Sequence, residues 1–244
     1  VVGMADSGDF GKVAGIFSLG ASSEAEFRHL SLTYTFAPQY RQWAGFLSSE
    51  QAIAGFGVLV NGLIGKEGRF DIRVMGTLHA VIYLALWYLA APLVPRGKKA
   101  AWVAAALALL LFSDVFYAAM FNTFYMDTAA LLGVFATGIG FLRAANGIAL
   151  RGSRWLALAG ALVLVLSKTQ HALVGICLIA GLGLPLVRRR MGLGSAGAAF
   201  AGGLLLLAMA ASFVIVPGYY RVMGSRSEEH TSELQSLAYL VCRL

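Results

Sequence analysis

Residues 155–187 read WLALAGALVLVLSKTQHALVGICLIAGLGLPLV, an apolar run broken once, at Ser167-Lys168-Thr169-Gln170-His171. As one helix this run would be ~50 Å long, too long for a single crossing of a hydrocarbon core of ~30 Å. Split at the break, it becomes two arms, each slightly short of the ~20 residues that a crossing needs. Short arms leave the polar apex sunk below the surface, and polar groups at that depth are costly unless they face a protein-lined recess. The stretch therefore predicts a membrane hairpin with a buried polar turn.

The same reading extends outward. Apolar spans are predicted at roughly 72–94, 100–118, 128–145, 155–169, 171–187 and 195–216. Hydrophobic residues make up 59% of the 244-residue chain and charged residues only 13%, against about 25% charged in a soluble domain. The expected fold class is all-α: a polytopic transmembrane helix bundle of about six spans, with a long helical outer loop at the N-terminus. The segment 49–65 is apolar but interrupted by Gly55, Gly57, Asn61 and Gly62. It is read as a surface-lying or re-entrant helix, because a further crossing would break the alternation of the basic loops.

Basic residues set the orientation. Arg96, Lys98 and Lys99 follow the first span, Arg143, Arg151 and Arg154 the third, and Arg188, Arg189 and Arg190 the fifth. All three clusters fall on one side, which the positive-inside rule makes cytoplasmic. The formal charge of +7 is thus a topology signal and not a nucleic-acid-binding surface. Residues 1–71, 119–127, the turn at 167–171 and the segment after Val216 then face away from the cytoplasm. The chain is therefore expected to be an integral membrane protein with these segments outside the cytoplasm. Cys177 and Cys242 form no disulfide or metal-binding pattern.

Both ends of the sequence carry a separate expectation. The run Arg226–Ser236 resembles the in-frame translation of a common sequencing adapter, and three Glu return there after an acid-free stretch from Thr128 to Ser227. Residues 225–244 are therefore expected to be an artefactual tail, and the chain, which begins Val1-Val2-Gly3, an internal piece of a longer protein. The division that follows is an outer loop with juxtamembrane helices at 1–71, a bundle at 72–224, and the tail.

This topology collects polar groups on one outer surface: Asp6 and Asp9 from the first loop, Asp114, Asn122 and Asp127 from the second, Lys168, Gln170 and His171 from the turn, and Arg221 after the last span. Carboxylates beside cations at the mouth of an apolar bundle suit group transfer from a lipid-linked phosphate. A carboxylate takes the acceptor proton, and Lys, His or Arg offsets charge on the leaving phosphate. Each residue also has a structural reading. Asp9 would cap a helix beginning near Phe10, and Asp127 sits where an N-cap for the third span belongs. Asp6 would be a solvated loop acid and Asp114 a pairing partner within the bundle. Lys168 would snorkel, His171 would pack as a hydrogen-bonded core residue, and Arg221 would anchor at the interface. The glycine-rich stretches follow no strand, so they mark helix packing and not a nucleotide loop.

The loop Asp6-Ser-Gly-Asp9-Phe-Gly-Lys12, the segment Phe121-Asn-Thr-Phe-Tyr-Met-Asp127 and the turn Ser167-Lys-Thr-Gln-His171 resemble bacterial membrane glycosyltransferases of the GT-C superfamily. That resemblance implies a bacterial inner membrane with the active face outside the cytoplasm, a polyprenyl-phosphate sugar donor, a glycan, lipid or protein acceptor, and membrane lipid as surroundings; the basic loops already argue against a nucleic-acid partner. It implies Asp9 as the catalytic carboxylate with Asp6 beside it; the convergence of polar groups on the outer face itself puts Lys168, His171, Gln170 and Arg221 on the lipid phosphate. Asp114, Asn122 and Asp127 would support the site. Asp6 and Asp9 also offer oxygen ligands to a divalent metal, although two carboxylates do not make a site. A transporter or flippase, and a membrane acyltransferase with His171 as base, are the competing classes.

Overall fold

The computed structural model describes residues 8–21, 32–38, 47–65, 67–94, 99–112 and 120–222. Asp6, Asp114 and the tail from 223 onward lie outside them. Helices dominate, as the composition requires. Helix α1 (Gly8–Ala14) opens the chain, followed by a 3-10 turn and a small antiparallel sheet of β1 (Leu19–Ala21), β2 (Thr33–Phe36) and β3 (Arg69–Asp71). The strand order is β1-β2-β3, with Gly20 opposite Thr35 and Tyr34 opposite Phe70. The sequence reading did not anticipate this sheet. Its strands have three or four residues, too short to leave an alternating pattern.

Between β2 and β3 runs α2 (Ser49–Ile64). Ser48-Ser49-Glu50-Gln51 is a capping box: the Ser48 hydroxyl accepts from the Glu50 amide, and the Ser48 amide donates to Gln51 Oε1. Asn61, which looked like an interruption, fastens the sheet to this helix. Its Nδ2 donates to Arg69 O at 2.8 Å, and its Oδ1 accepts from the Asp71 amide at 3.0 Å.

The bundle follows: α3 (Arg73–Ala90), α4 (Lys99–Phe112), α5 (Met126–Ala145), α6 (Leu150–Ser167), the short α7 (Thr169–Ala172), α8 (Val174–Gly183), α9 (Pro185–Met191) and α10 (Ser195–Val222). Four stretches are long and apolar enough to cross a membrane: 73–93, 126–145, 150–167 and 195–213. The pair formed by α7–α8 and α9, bent by 85°, would be a fifth. Of the expected 100–118 span, only α4 lies among the described residues.

Helices α5 and α6 form the tightest hairpin. A Cβ on Gly133 would come within 2.7 Å of the Leu164 amide nitrogen, and one on Gly160 within 2.6 Å of the Thr137 nitrogen. Small residues there let two backbones meet, which is how helices associate where lipid removes the hydrophobic drive between them. Outward-facing residues such as Leu63, Tyr88, Trp102, Leu110 and Leu207 are exposed, as lipid-facing surface should be.

The core lies in separate clusters. One joins Val13, Tyr34, Ala54, Phe70, Ile72, Met75, Phe124 and Met126, so the sheet, α1, α2 and the N-terminal ends of α3 and α5 share one apolar plug. A second links Leu86 on α3 to Leu132, Phe135 and Ile139 on α5. A third ties Val165 and Ala172 to Leu205 and Ala208 on α10.

Candidate functional site

The two ends of the bundle differ in charge. Arg143 at the C-terminal end of α5 donates to Leu89 O, near the end of α3. Arg154, in the first turns of α6, holds the chain between α9 and α10 through Met191 O and Gly192 O. With Arg151 and Arg188, Arg189 and Arg190, these residues place the basic loops of 143–190 at one end. Helix α6 has 18 residues, so the opposite end lies ~27 Å away at 1.5 Å per residue. That opposite end carries Asp71, Asp127, Lys168 and His171.

At this mouth, three chain segments meet. The N-terminus of α2 locks onto the sunken turn: Ser48 Oγ donates to Ser167 O and Ser49 Oγ to Val163 O, each at 2.7 Å. Ser167 is fully buried, and its hydroxyl donates to Leu164 O. Because that single proton is used, the 2.9 Å contact between Ser167 Oγ and His171 Nδ1 assigns the ring hydrogen to Nδ1. His171 Nε2 is then turned to Asp127 Oδ1 at 3.8 Å, an ion-pair distance and not a hydrogen bond. Both side chains remain partly exposed, at 27% and 40%, so a ligand can reach them. Lys168 lies between α6 and α7 in an extended conformation and is half-buried. Its carbonyl accepts from the His171 and Ala172 amides. Gln170, next to it, is exposed.

Asp127 is not the N-cap of α5. Tyr125 takes that position, without a side-chain cap, and Asp127 falls inside the first turn. A carboxylate there still meets the positive end of the helix dipole. The preceding loop is held by Thr123 Oγ and Thr128 Oγ, which both donate to Met120 O. Asn122 lies against Gly76 of α3, where any Cβ would overlap its amide. Thus Asp127 and His171 approach one another, Lys168 lies three residues before His171 at the start of the same turn, and Asn122 sits on the loop before Asp127 at the α3 wall. Asp9 has its backbone in α1, which packs beside α2 and α5. Its side chain, like that of Arg221 in α10, lies outside the described residues. No cluster of three metal-ligating side chains occurs among the described residues.

Just beneath the mouth is a pair that sequence reading missed. Glu50 and His79 are both fully buried, with Glu50 Oε1 3.0 Å from His79 Nε2. The approach is close but poorly aligned for a hydrogen bond. His79 Nδ1 lies 2.7 Å from Phe121 O, and the Ala129 amide of α5 faces the Glu50 carboxyl. Burial pushes the Glu50 carboxyl above its usual range, with His79 opposing that rise. A signal did exist: His79 is an ionisable residue inside an apolar span, and such a residue needs a polar partner.

Comparison with known proteins adds a family. The family model described as the YfdI N-terminal transmembrane domain matches residues 1–241. The chain belongs to that family. No curated protein and no solved structure matches it. The YfdI N-terminal transmembrane domain is accordingly an integral membrane bundle, in agreement with its helices and its lipid-facing surface.

Proposed function

We propose that this domain is the membrane part of a GT-C-type glycosyltransferase. It would move a sugar from a polyprenyl-phosphate donor to a glycan, lipid or protein acceptor on the face away from the cytoplasm. The observation that carries the reading is the approach of Asp127 to His171, on the turn that begins at Lys168, at the end of the bundle opposite the arginines. By the positive-inside rule that end is extracytoplasmic, which is where a polyprenyl-linked sugar would be consumed.

In this reading Lys168 and His171, with Gln170 and Arg221, hold the donor phosphate and offset the charge that grows as the glycosidic bond to it breaks. His171 Nδ1 donates to Ser167, so Nε2 is the atom presented to ligand, and it is the imidazolium form, with a hydrogen on both nitrogens, that holds a phosphate there. Asp9, with Asp6 near it, takes the acceptor proton. Asp127 keeps His171 in place. The lipid tail stays between helices and never leaves the membrane.

The test is transfer of a labelled sugar from a polyprenyl-phosphate donor by the full-length protein in vesicles. Asp9→Asn should abolish transfer with insertion unchanged, and Lys168→Ala should weaken use of the donor. Near wild-type transfer by Asp9→Asn removes that residue from the mechanism, and a Lys168 effect confined to the acceptor contradicts its role. A second reading, a transporter or flippase, is favoured by one observation, the buried Glu50–His79 pair, because ionisable residues inside a bundle often line a proton or substrate path. Substrate flux without sugar transfer would select it.

A further inference from the structure

At the basic end, far from the mouth, helices α5, α6, α8, α9 and α10 enclose a cleft of about 550 Å³. The 85° bend between α8 and α9 opens it. Its walls are almost wholly apolar, including Phe141, Leu158, Leu178 and Leu205. Gly138 and Gly181 also line it, and a Cβ on either would meet nothing within 4 Å. Its polar lining comes chiefly from Arg151 and Arg154, beside Trp155, which is 56% exposed.

The dimensions and the charge both point to one occupant. From Arg151 to Ala161, both lining residues, α6 advances ~15 Å, half of a hydrocarbon core of ~30 Å. The cleft therefore has the depth of one leaflet. Its rim places arginines and a tryptophan at the level of the lipid headgroups, where such residues concentrate. Arg154 is anchored to the α9–α10 corner through Met191 O and Gly192 O, so its charge is fixed in position. Arg151 is exposed at the rim. Arg189 and Arg190 on α9 add further positive charge at the same end of the bundle.

We propose that this cleft binds one acyl chain of an anionic phospholipid from the leaflet at the basic end, with its phosphate held by Arg151 in the field of Arg154. Basic pockets between membrane helices on that side of a bilayer are suited to anionic headgroups, and the apolar depth takes the chain. The site is separate from the mouth and does not depend on the glycosyltransferase reading.

The experiment uses Trp155 as the reporter. The full chain carrying Trp43→Phe, Trp87→Phe and Trp102→Phe is placed in phosphatidylcholine vesicles. These contain equal fractions of either chain-brominated phosphatidylglycerol or chain-brominated phosphatidylcholine. Quenching of Trp155 should favour the anionic lipid by about fivefold, corresponding to ~1 kcal/mol for one basic residue near the headgroups. Arg151→Gln should erase the preference, and Gly181→Leu, which fills the cleft, should reduce quenching by both lipids. Equal quenching by both lipids would overturn the headgroup assignment. Absence of quenching, as when another protein segment fills the cleft, would overturn the site. Native mass spectrometry of the unaltered chain from mixed vesicles gives a second measure should the tryptophan variant fail to fold. A retained phosphatidylglycerol that Arg151→Gln loses is expected, and retention independent of Arg151 refutes the proposal.

Discussion

Replacing Glu50 by leucine should be more damaging than replacing Glu50 and His79 together. Both side chains are fully buried and 3.0 Å apart, so either single change strands the other polar group without water. Breaking a buried pair from one side costs about 3–5 kcal/mol. Glu50→Leu leaves His79 Nε2 facing a methyl group. His79→Leu leaves the Glu50 carboxyl with the Ala129 amide alone and also removes the partner of Phe121 O. In the double variant two apolar side chains of similar volume meet, and such replacements are often neutral or stabilising. The loss at Phe121 O remains, worth about 1 kcal/mol. The double variant should therefore be destabilised by only about 1 kcal/mol, and with single losses of about 3 kcal/mol or more the coupling energy should reach about 5 kcal/mol, above the usual range for neighbouring residues. The assay is reversible unfolding in mixed micelles, followed by tryptophan fluorescence. Additive losses in the double variant would refute the idea that the two groups stabilise one another.

Three further outcomes follow from the same structure. Ser48→Ala removes a helix cap and the buried bond to Ser167 O, and should lower stability by about 2 kcal/mol in the same unfolding assay; a loss below about 0.5 kcal/mol, typical of an inert surface change, would contradict the α2–turn lock. Gly160→Leu forces a side chain into the Thr137 and Gly133 backbone and should cost at least about 1–3 kcal/mol as overpacking, visible as a lower melting temperature, whereas Gly152→Ala, in open space in the first turn of α6, should lower nothing and add up to about 1 kcal/mol through helix propensity. The hydrogen bond from Arg73 holds the Asp71 carboxyl below its usual range. Its stabilising effect is thus complete above the unfolded carboxylate pKa and lost as pH falls through the lower folded value; Asp71→Asn should flatten the acid limb of the melting-temperature profile, and an unchanged limb would assign that limb to other groups.

What the sequence by itself determined are the properties that depend on a residue and its near neighbours. Helix crossing depends on the length of an apolar run, and four predicted spans reappear as helices that meet that requirement alone. The placement of basic residues in alternate loops predicted a shared end for Arg143, Arg154 and Arg188–Arg190, which the bundle shows, because every second loop returns the chain to the same side; Arg96 and Lys98 lie outside the described residues. The break at 167–171 announced a polar turn for the same local reason. Asp127 lies two positions past the cap it was expected to be, since a cap is decided by backbone dihedrals at Tyr125 and not by residue type.

Tertiary structure alone decided which polar groups meet. Ser48 and Ser167 are 119 residues apart, and no periodicity links them. Glu50 falls within residues 1–71, the segment expected outside the membrane core, yet packing of α2 against α3 and α5 removes it from water and gives it His79. The sheet, too, exists because β2 finds β1 and β3 across long connections and the plug below it buries Tyr34 and Phe70. Burial of a charge has no meaning until three elements close around it, so its partner is written in the packing and not in the order of the residues.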